Sequence, residues 1–436
     1  MASGMVLSII IFTVVYVLIA TEKMEKTIAV ILGAAFMLAL RLVPFEKAAS
    51  AVDLNVIFLL VGMMVCMNVL SRTGFFEWLA VSVAKMTKGS PLRIMLLFIL
   101  ITAVVSAFLD NVTTVILMAP VTILIAQLLE ISPVPFLILE AISSNAGGAA
   151  TLIGDPPNIL IGSQTGLSFN DFLFNLAPCI VFVMAVLLLV IYVLFRRGWN
   201  VPGQIKARVT EALPRLAIVD GKNMRRALII LAGVLLAFVT HTLTGLEPGI
   251  IALCGAMIMV LICGGEIDRD LVHIEWGVIF FFVGLFMLVA GLEHNGVIHF
   301  LANQIVAVAG TDAFLLSMII LFSSALFSAV LDNIPFVMAM VPLIKEVIVQ
   351  LPHEAGSAVS INGLTAQPLW WALALGACLG GNGTLIGASA NVVISKISAK
   401  NKYPISFMSF TYYGFPLMLL SVVVSAFYIW VRYFLK

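Results

Sequence analysis

The chain alternates long apolar runs with short polar breaks. Runs long enough to cross a hydrocarbon layer of about 30 Å as helices fall near residues 5–20, 27–43, 54–70, 177–195, 227–245, 248–264, 276–292 and 408–433. Four further apolar arms, 92–108, 112–129, 313–330 and 334–349, come in two pairs. Each pair is interrupted by the same tripeptide, Leu109-Asp110-Asn111 in the first and Leu331-Asp332-Asn333 in the second. An aspartate in hydrocarbon costs roughly 2.5–3.5 kcal/mol on insertion scales. Meeting one twice, at matching places, marks a path for an ion or a proton.

Composition agrees with the pattern. Of 436 residues 62% are hydrophobic and 10% charged, with mean hydropathy +1.17, more apolar surface than a soluble core could bury. The expectation is an all-α polytopic membrane protein and not an enzyme, since no loop is long enough to hold a soluble catalytic domain. The first apolar run lacks a basic flank and a small-residue cleavage site, so it reads as a retained helix. A net charge of +1 gives no footing for nucleic acid. Cys66, Cys179, Cys254, Cys263 and Cys378 stand singly in apolar sequence; neither a metal, a disulfide framework nor any other cofactor is expected.

The two tripeptides belong to a duplication. The shift that carries Asp110 onto Asp332 also pairs Val56-Ile57-Phe58 with Val278-Ile279-Phe280, Val61-Gly62 with Val283-Gly284, Gly74 with Gly296 and Pro120 with Pro342. A slightly longer shift, set by extra loop residues in the second half, aligns GGAATLIGDPPN from Gly147 with GGNGTLIGASAN from Gly380. Between the halves, residues 196–226 form a basic linker, cytoplasmic by the positive-inside bias. Lys85, Lys88 and Arg93 precede the first tripeptide while its counterpart stretch has no Lys or Arg. Lys396, Lys400 and Lys402 follow the second glycine-rich element while the first is followed by none before Pro178. The basic side changes between copies, as in inverted repeats that each cross an odd number of times. Arg41, Lys47, Arg432 and Lys436 run against this scheme.

The expected halves are 1–195 and 227–436, each with about five crossing helices, a re-entrant hairpin (about 92–129 and 313–349) and a broken helix (about 134–165 and 367–398). A hairpin is preferred to two crossing helices because irregular backbone at depth survives only where protein, ion or water satisfies it. Proton coupling is assigned to Asp110 and Asp332, with Asp155 a third titrating group or only a cap. Asn111, Thr113, Asn145, Asn158, Asn333, Asn382 and Asn391, with Thr151 and Thr384, are candidate ligands for solute or ion. Unwound carbonyls at Gly147, Gly148, Gly380 and Gly381 are candidates too, against the alternative that these glycines serve helix packing. His241, His294 and His299 are expected in interfacial roles.

On the Leu-Asp-Asn tips and the Gly-Gly…Thr-Leu-Ile-Gly…Asn elements the chain resembles the ion transporter superfamily, over essentially its whole length. That group includes arsenite efflux permeases, sodium/proton antiporters, the pigmentation P-protein group and divalent-anion/sodium symporters. The resemblance implies two inverted repeats whose hairpins and broken helices meet at a midplane site. In the dicarboxylate branch the tip reads Ser-Asn-Thr; Asp110-Asn111-Val112 and Asp332-Asn333-Ile334 depart from it. Carboxylates there repel a dianion unless protonated and favour a cation or a neutral hydroxylated solute.

The short linker and the Asp-Asn tips look most like the arsenite-permease and P-protein side. The function expected is proton-coupled efflux of arsenite or antimonite by alternating access at the cytoplasmic (inner) membrane. One proton entering across 100 mV supplies about 2.3 kcal/mol, enough for a roughly fifty-fold gradient of an uncharged solute. The nearest rival is a sodium/proton antiporter, followed by a sodium-coupled anion symporter. A channel fits inverted halves less well, and the motif pair of an intramembrane aspartyl protease is absent. A homodimer, and a cytoplasmic ATPase docked on the linker, are the partners left open.

Overall fold

The computed structural model describes residues 2–21, 23–199, 201–211, 213–265, 267–310, 312–351, 361–363 and 366–435. Among these there is no strand, and the helices follow one another in two similar series, the first with one short helix, Phe169–Asn175, that the second lacks. The first comprises α1 (Ala2–Ala20), α2 (Lys26–Ala39), α3 (Phe45–Ser50), α4 (Leu54–Ser71), α5 (Phe75–Met86), α6 (Pro91–Phe108), α7 (Asn111–Leu128), α8 (Val134–Gly148), α9 (Pro156–Thr165), α10 (Phe169–Asn175) and α11 (Ala177–Phe195). After α12 (Gly203–Glu211) and a 3₁₀ turn (Pro214–Ala217), the second begins with α13 (Gly221–Thr244), α14 (Pro248–Cys263), α15 (Ile267–Val272) and α16 (Trp276–His294). It continues with α17 (Val297–Ala309), α18 (Ala313–Val330), α19 (Asn333–Val349), α20 (Gln367–Gly380), α21 (Ser389–Lys400) and α22 (Phe407–Ile429). Eight of these helices, α4, α6, α7, α11, α13, α16, α18 and α22, are long and apolar enough to cross a membrane; α1, α2, α14 and α17 are shorter apolar helices.

The halves are interlocked. α2 packs on α16 and α14 on α4, so each half lends a helix to the other. The same exchange recurs where α7 lies on α21 and α19 on α9. Within each half α6 packs on α8 and α18 on α20. These two contacts are close enough to require glycine: a Cβ on Gly147 meets the Ala103 carbonyl oxygen at 2.1 Å, and one on Gly380 meets the Ala325 Cα and carbonyl oxygen at 2.6 Å. Small residues at such crossings let backbones approach where lipid provides no hydrophobic drive.

Each Leu-Asp-Asn lies where two helices are broken apart. Leu109 and Leu331 are extended, ending α6 and α18, and Asp110 and Asp332 are the N-caps of α7 and α19. The breaks after α8 and α20 are closed by asparagines one turn into the next helix. The Asn158 amide donates to the carbonyls of Ala149 (3.2 Å) and Thr151 (2.8 Å), and the Asn391 amide to those of Gly381 (2.8 Å) and Thr384 (2.9 Å). The Thr151 and Thr384 hydroxyls donate to the carbonyls of Ala107 and Ala329, fixing each break to its neighbouring helix. Backbone groups freed by unwinding are thus satisfied by protein, as a low-dielectric setting demands.

The basic stretch 196–226 is not linker throughout. Helix α13 takes up the chain from Gly221, because the Asp220 carboxylate caps it through the Asn223 N–H at 3.0 Å. The 3₁₀ turn and α12 lie against α5, and the Val219 N–H donates to the Thr73 carbonyl at 3.0 Å. Residues 200 and 212 of this stretch lie outside the described residues, as do 352–360, where the extra loop of the second half falls.

Packing at Gly147 gives a direct test. Gly147→Ala is expected to lower thermal stability in detergent by about 1–3 kcal/mol, the usual cost of overpacking. Gly233→Ala, on an exposed stretch of α13 with nothing within 4 Å of the added methyl, leaves stability unchanged or slightly higher. Melting curves of the two variants check both.

Candidate functional site

The two broken places of each half converge on one cavity of about 430 Å³, lined by Asp110, Asn111, Asp155, Asp332 and Asn333 together with Lys26, Glu275, Ser389 and Lys396. The tips are presented by α7 and α19, and Asp155 by the first residue position before α9.

The three aspartates are bonded in different ways. Asp110 is saturated within its own turn: its carboxylate accepts from the N–H groups of Val112 (2.8 Å) and Thr113 (3.1 Å) and from the Thr113 hydroxyl. Asp332 accepts from the Ile334 N–H (3.2 Å) and the Ser389 hydroxyl (2.9 Å), and pairs with the Lys26 ammonium at 2.8 Å. Among the described residues Asp155 has neither a cation nor a backbone donor. Fully buried, it accepts from the Asn111 amide at 3.1 Å and from the Asn333 amide at 3.4 Å, so both tips reach the same carboxylate.

Behind the tips runs a chain of amides. Asn111 also donates to the Asn145 oxygen (3.0 Å), and Asn145 donates across the halves to Asn382 (2.9 Å) and Asn391 (3.0 Å). Asn382 donates on to the Ile142 carbonyl at 3.2 Å. At the position equivalent to Asn145 stands Cys378, whose thiol reaches the Asn158 oxygen at 3.6 Å. Net gains of about 0.5–1.5 kcal/mol per bond, against about 1–3 kcal/mol for each buried group left unmade, make this network stabilising only while complete.

The candidates from sequence therefore divide. Asp110, Asn111, Asp155, Asp332 and Asn333 line the cavity, and Thr113 and Asn145 support them. Thr151, Thr384, Asn158, Asn382 and Asn391 spend their side chains on backbone carbonyls of the frame. Gly147 and Gly380 serve close helix packing, and the Gly381 carbonyl is taken by Asn391. The histidines stand apart from the cavity: His241 accepts from the Phe169 N–H, His294 contacts Lys47, and His299 pairs with Glu346. Sequence reasoning missed Lys26, Ser389, Glu275 and Lys396. Lys26 carried one signal, a cation at the very edge of an apolar run; the others read as ordinary loop or helix-end polarity.

Residues 16–376 match the family model described as "Citrate transporter", CitMHS. A "46 kDa membrane protein" of Mycobacterium leprae is 40% identical over 98% of this chain and 99% of its own length. An uncharacterized transporter of Synechocystis is 34% identical over 96% of this chain and 95% of its own. The human P protein is 32% identical over 96% of this chain, which spans 59% of it. Among solved structures the YdaH transporter of Alcanivorax borkumensis superposes with TM-score 0.59 over 88% of this chain and 86% of its own, at 13% identity, a likeness of fold. A family match over most of the chain and full-length relatives above 30% identity lead to one conclusion: the chain belongs to the CitMHS citrate transporter family of the ion transporter superfamily.

Proposed function

We propose that this multi-pass secondary transporter works by alternating access, exporting a neutral hydroxylated solute of the arsenite or antimonite type in exchange for protons carried on Asp155. The observation that supports this most is one-sided access. The main cavity reaches Asp155 and both tips from the mouth formed by Glu25, Lys26, Glu275 and Lys396. The equivalent mouth of the other half, around Asn55, Ser163, His241 and Glu247, is a cavity of about 280 Å³ whose lining includes neither tip nor Asp155. It is sealed by hydrogen bonds: Asp53 accepts from the Ser163 hydroxyl (2.6 Å) and the Gln164 amide (3.1 Å), Asn55 donates to Ser163 (3.3 Å), and Lys345 donates to Gln164 (3.4 Å). By the positive-inside bias the open mouth, beside Lys396, faces the cytoplasm, which suits uptake of a solute for export.

Charge narrows the solute. A carboxylate buried without a cation is costly while ionised, and among the described residues Asp155 alone of the trio lacks both a cation and a backbone N–H donor; a proton relieves it. A free dianion entering meets Asp110 and Asp155, while Lys26 is already committed to Asp332. A small neutral hydroxide meets amide donors and acceptors from Asn111 and Asn333. The sodium/proton antiport reading rests on the same carboxylates acting as direct sodium ligands, and citrate is the solute that the family description names.

Purified protein in proteoliposomes under an imposed pH gradient, assayed with arsenite, sodium and citrate in turn, tests the assignment. The expected result is proton-driven arsenite flux in the wild type, loss of uphill flux in Asp155→Asn, and substantial retention in Asp110→Asn, because asparagine also caps a helix. Uphill arsenite transport surviving in Asp155→Asn removes Asp155 as carrier; sodium or citrate flux without arsenite flux replaces the solute.

The repeat also forecasts the other state. Glu275 and Lys396 are the counterparts of Asp53 and Ser163, and among the described residues no ion pair joins them here. When the open mouth closes they are expected to meet. In the double variant Glu275→Cys with Lys396→Cys, oxidation should stop transport and reductant restore it, with oxidation ineffective in either single variant. Absence of any disulfide under turnover conditions would count against this closure.

A further inference from the structure

Lys26 opens α2, and its ammonium lies 2.8 Å from the Asp332 carboxylate and 2.6 Å from the Ser389 hydroxyl, with the Phe281 ring centroid at 5.0 Å. Ser389 itself donates to Asp332 at 2.9 Å. A carboxylate oxygen and a hydroxyl oxygen thus converge on one positive charge, and oxygen donors of this hard type are what small hard cations take as ligands. The ammonium stands where a free monovalent ion would stand.

The first half shows that this place is filled by design of sequence and not by symmetry. The positions equivalent to Lys26 and Ser389 are Pro248 and Pro156, which offer neither charge nor hydroxyl. There the equivalent carboxylate, Asp110, is closed by the hydroxyl of Thr113, whose own counterpart is Pro335. Each tip carboxylate is therefore occupied, one by a hydroxyl from its own helix and one by a cation from α2 across the interlocked halves. Glu25 and Glu275 share the cavity mouth with Lys26, and Asp110 and Asp155 line the same cavity.

We propose that Lys26 is a built-in counter-ion that occupies the cation position at Asp332 and Ser389, denies it to sodium, and so determines that coupling runs on protons. A tethered charge competes at the millimolar or higher effective concentration that a short tether provides, and it never leaves the site by diffusion. The inference deepens the proposed function and rests on its assignment of proton coupling.

The test is sodium-specific thermal stabilisation of the full-length protein in detergent, NaCl against choline chloride at equal ionic strength. Wild type and Lys26→Arg are expected to show no sodium-specific shift. Lys26→Met should gain a saturable rise of a few degrees in melting temperature, and the rise should vanish in Lys26→Met combined with Asp332→Asn. Lys26→Gln is measured in parallel, so that the answer does not depend on the folding of one variant. No shift in either neutral variant, or a shift that survives Asp332→Asn, overturns the role of Lys26. A sodium shift already present in the wild type overturns it too, together with coupling by protons alone. A response confined to the neutral variants supports it whether or not the wild type carries arsenite.

Discussion

The structure depends on a single carboxylate, Asp155, that has no exposure and, among the described residues, no cation. A charge or even a polar acid in that setting is tolerated only with hydrogen bonds from rigid donors. Two of its donors come from helix tips, Asn111 and Asn333, which belong to different halves of the chain, and the Cys378 thiol lies against it as well. For two such tips to reach one point, four helices must be broken or ended at the same depth. Every break frees backbone groups that the lipid cannot satisfy. The asparagines and threonines of the frame, Asn158 with Thr151 and Asn391 with Thr384, answer that requirement.

The frame is nearly symmetric and the chemistry is not. Ser106 and Ser328 each donate to a carbonyl of the broken helix beside them, and Asn158 and Asn391 make equivalent bonds to the carbonyls of Thr151 and Thr384. Asp155, however, faces Ala388 in the other copy, Ser389 faces Pro156, Thr113 faces Pro335 and Lys26 faces Pro248. In the proposed cycle the two similar helix series form a scaffold that takes up two related arrangements. The carboxylate without a cation lies in one series and the fixed cation lies against the tip of the other, so that one proton-exchanging group serves both mouths.

How much of this could be read from sequence follows from distance along the chain. The tips were legible because repetition marks them: two aspartates in apolar sequence at one shift are a strong signal. The breaks at Gly148 and Gly380 were legible for the same reason. The separate roles of the glycines were not, since a carbonyl offered to an ion and a methylene-free crossing have the same sequence signature, and Gly147 is distinguished only by the Ala103 carbonyl against it. Lys26 was invisible as a partner because Asp332 lies in the other half, and because the repeat, which exposed the two tips, offers only Pro248 at its place. Asp155 was seen but ranked last for the same reason: it breaks the symmetry by which the others were found.

In the proposed cycle the seal at the closed mouth accounts for how such a frame exchanges two states. Four hydrogen bonds link Asp53, Asn55, Ser163, Gln164 and Lys345, each worth about 0.5–1.5 kcal/mol net. Against them the proposed cycle sets an ion pair between Glu275 and the exposed Lys396, worth about 0–1 kcal/mol near water, with whatever solvation is regained at Asp53. The two sides then differ by a few kcal/mol, the range in which a minor state stays populated and a bound solute or proton can shift the balance. The amide network around Asn145 is of another kind. It is fully buried and cross-linked between halves, and its loss costs more than its formation gains. Motion is therefore expected at the mouths, where bonds are few and water can replace them, while the tips, the breaks and Asp155 move as one body.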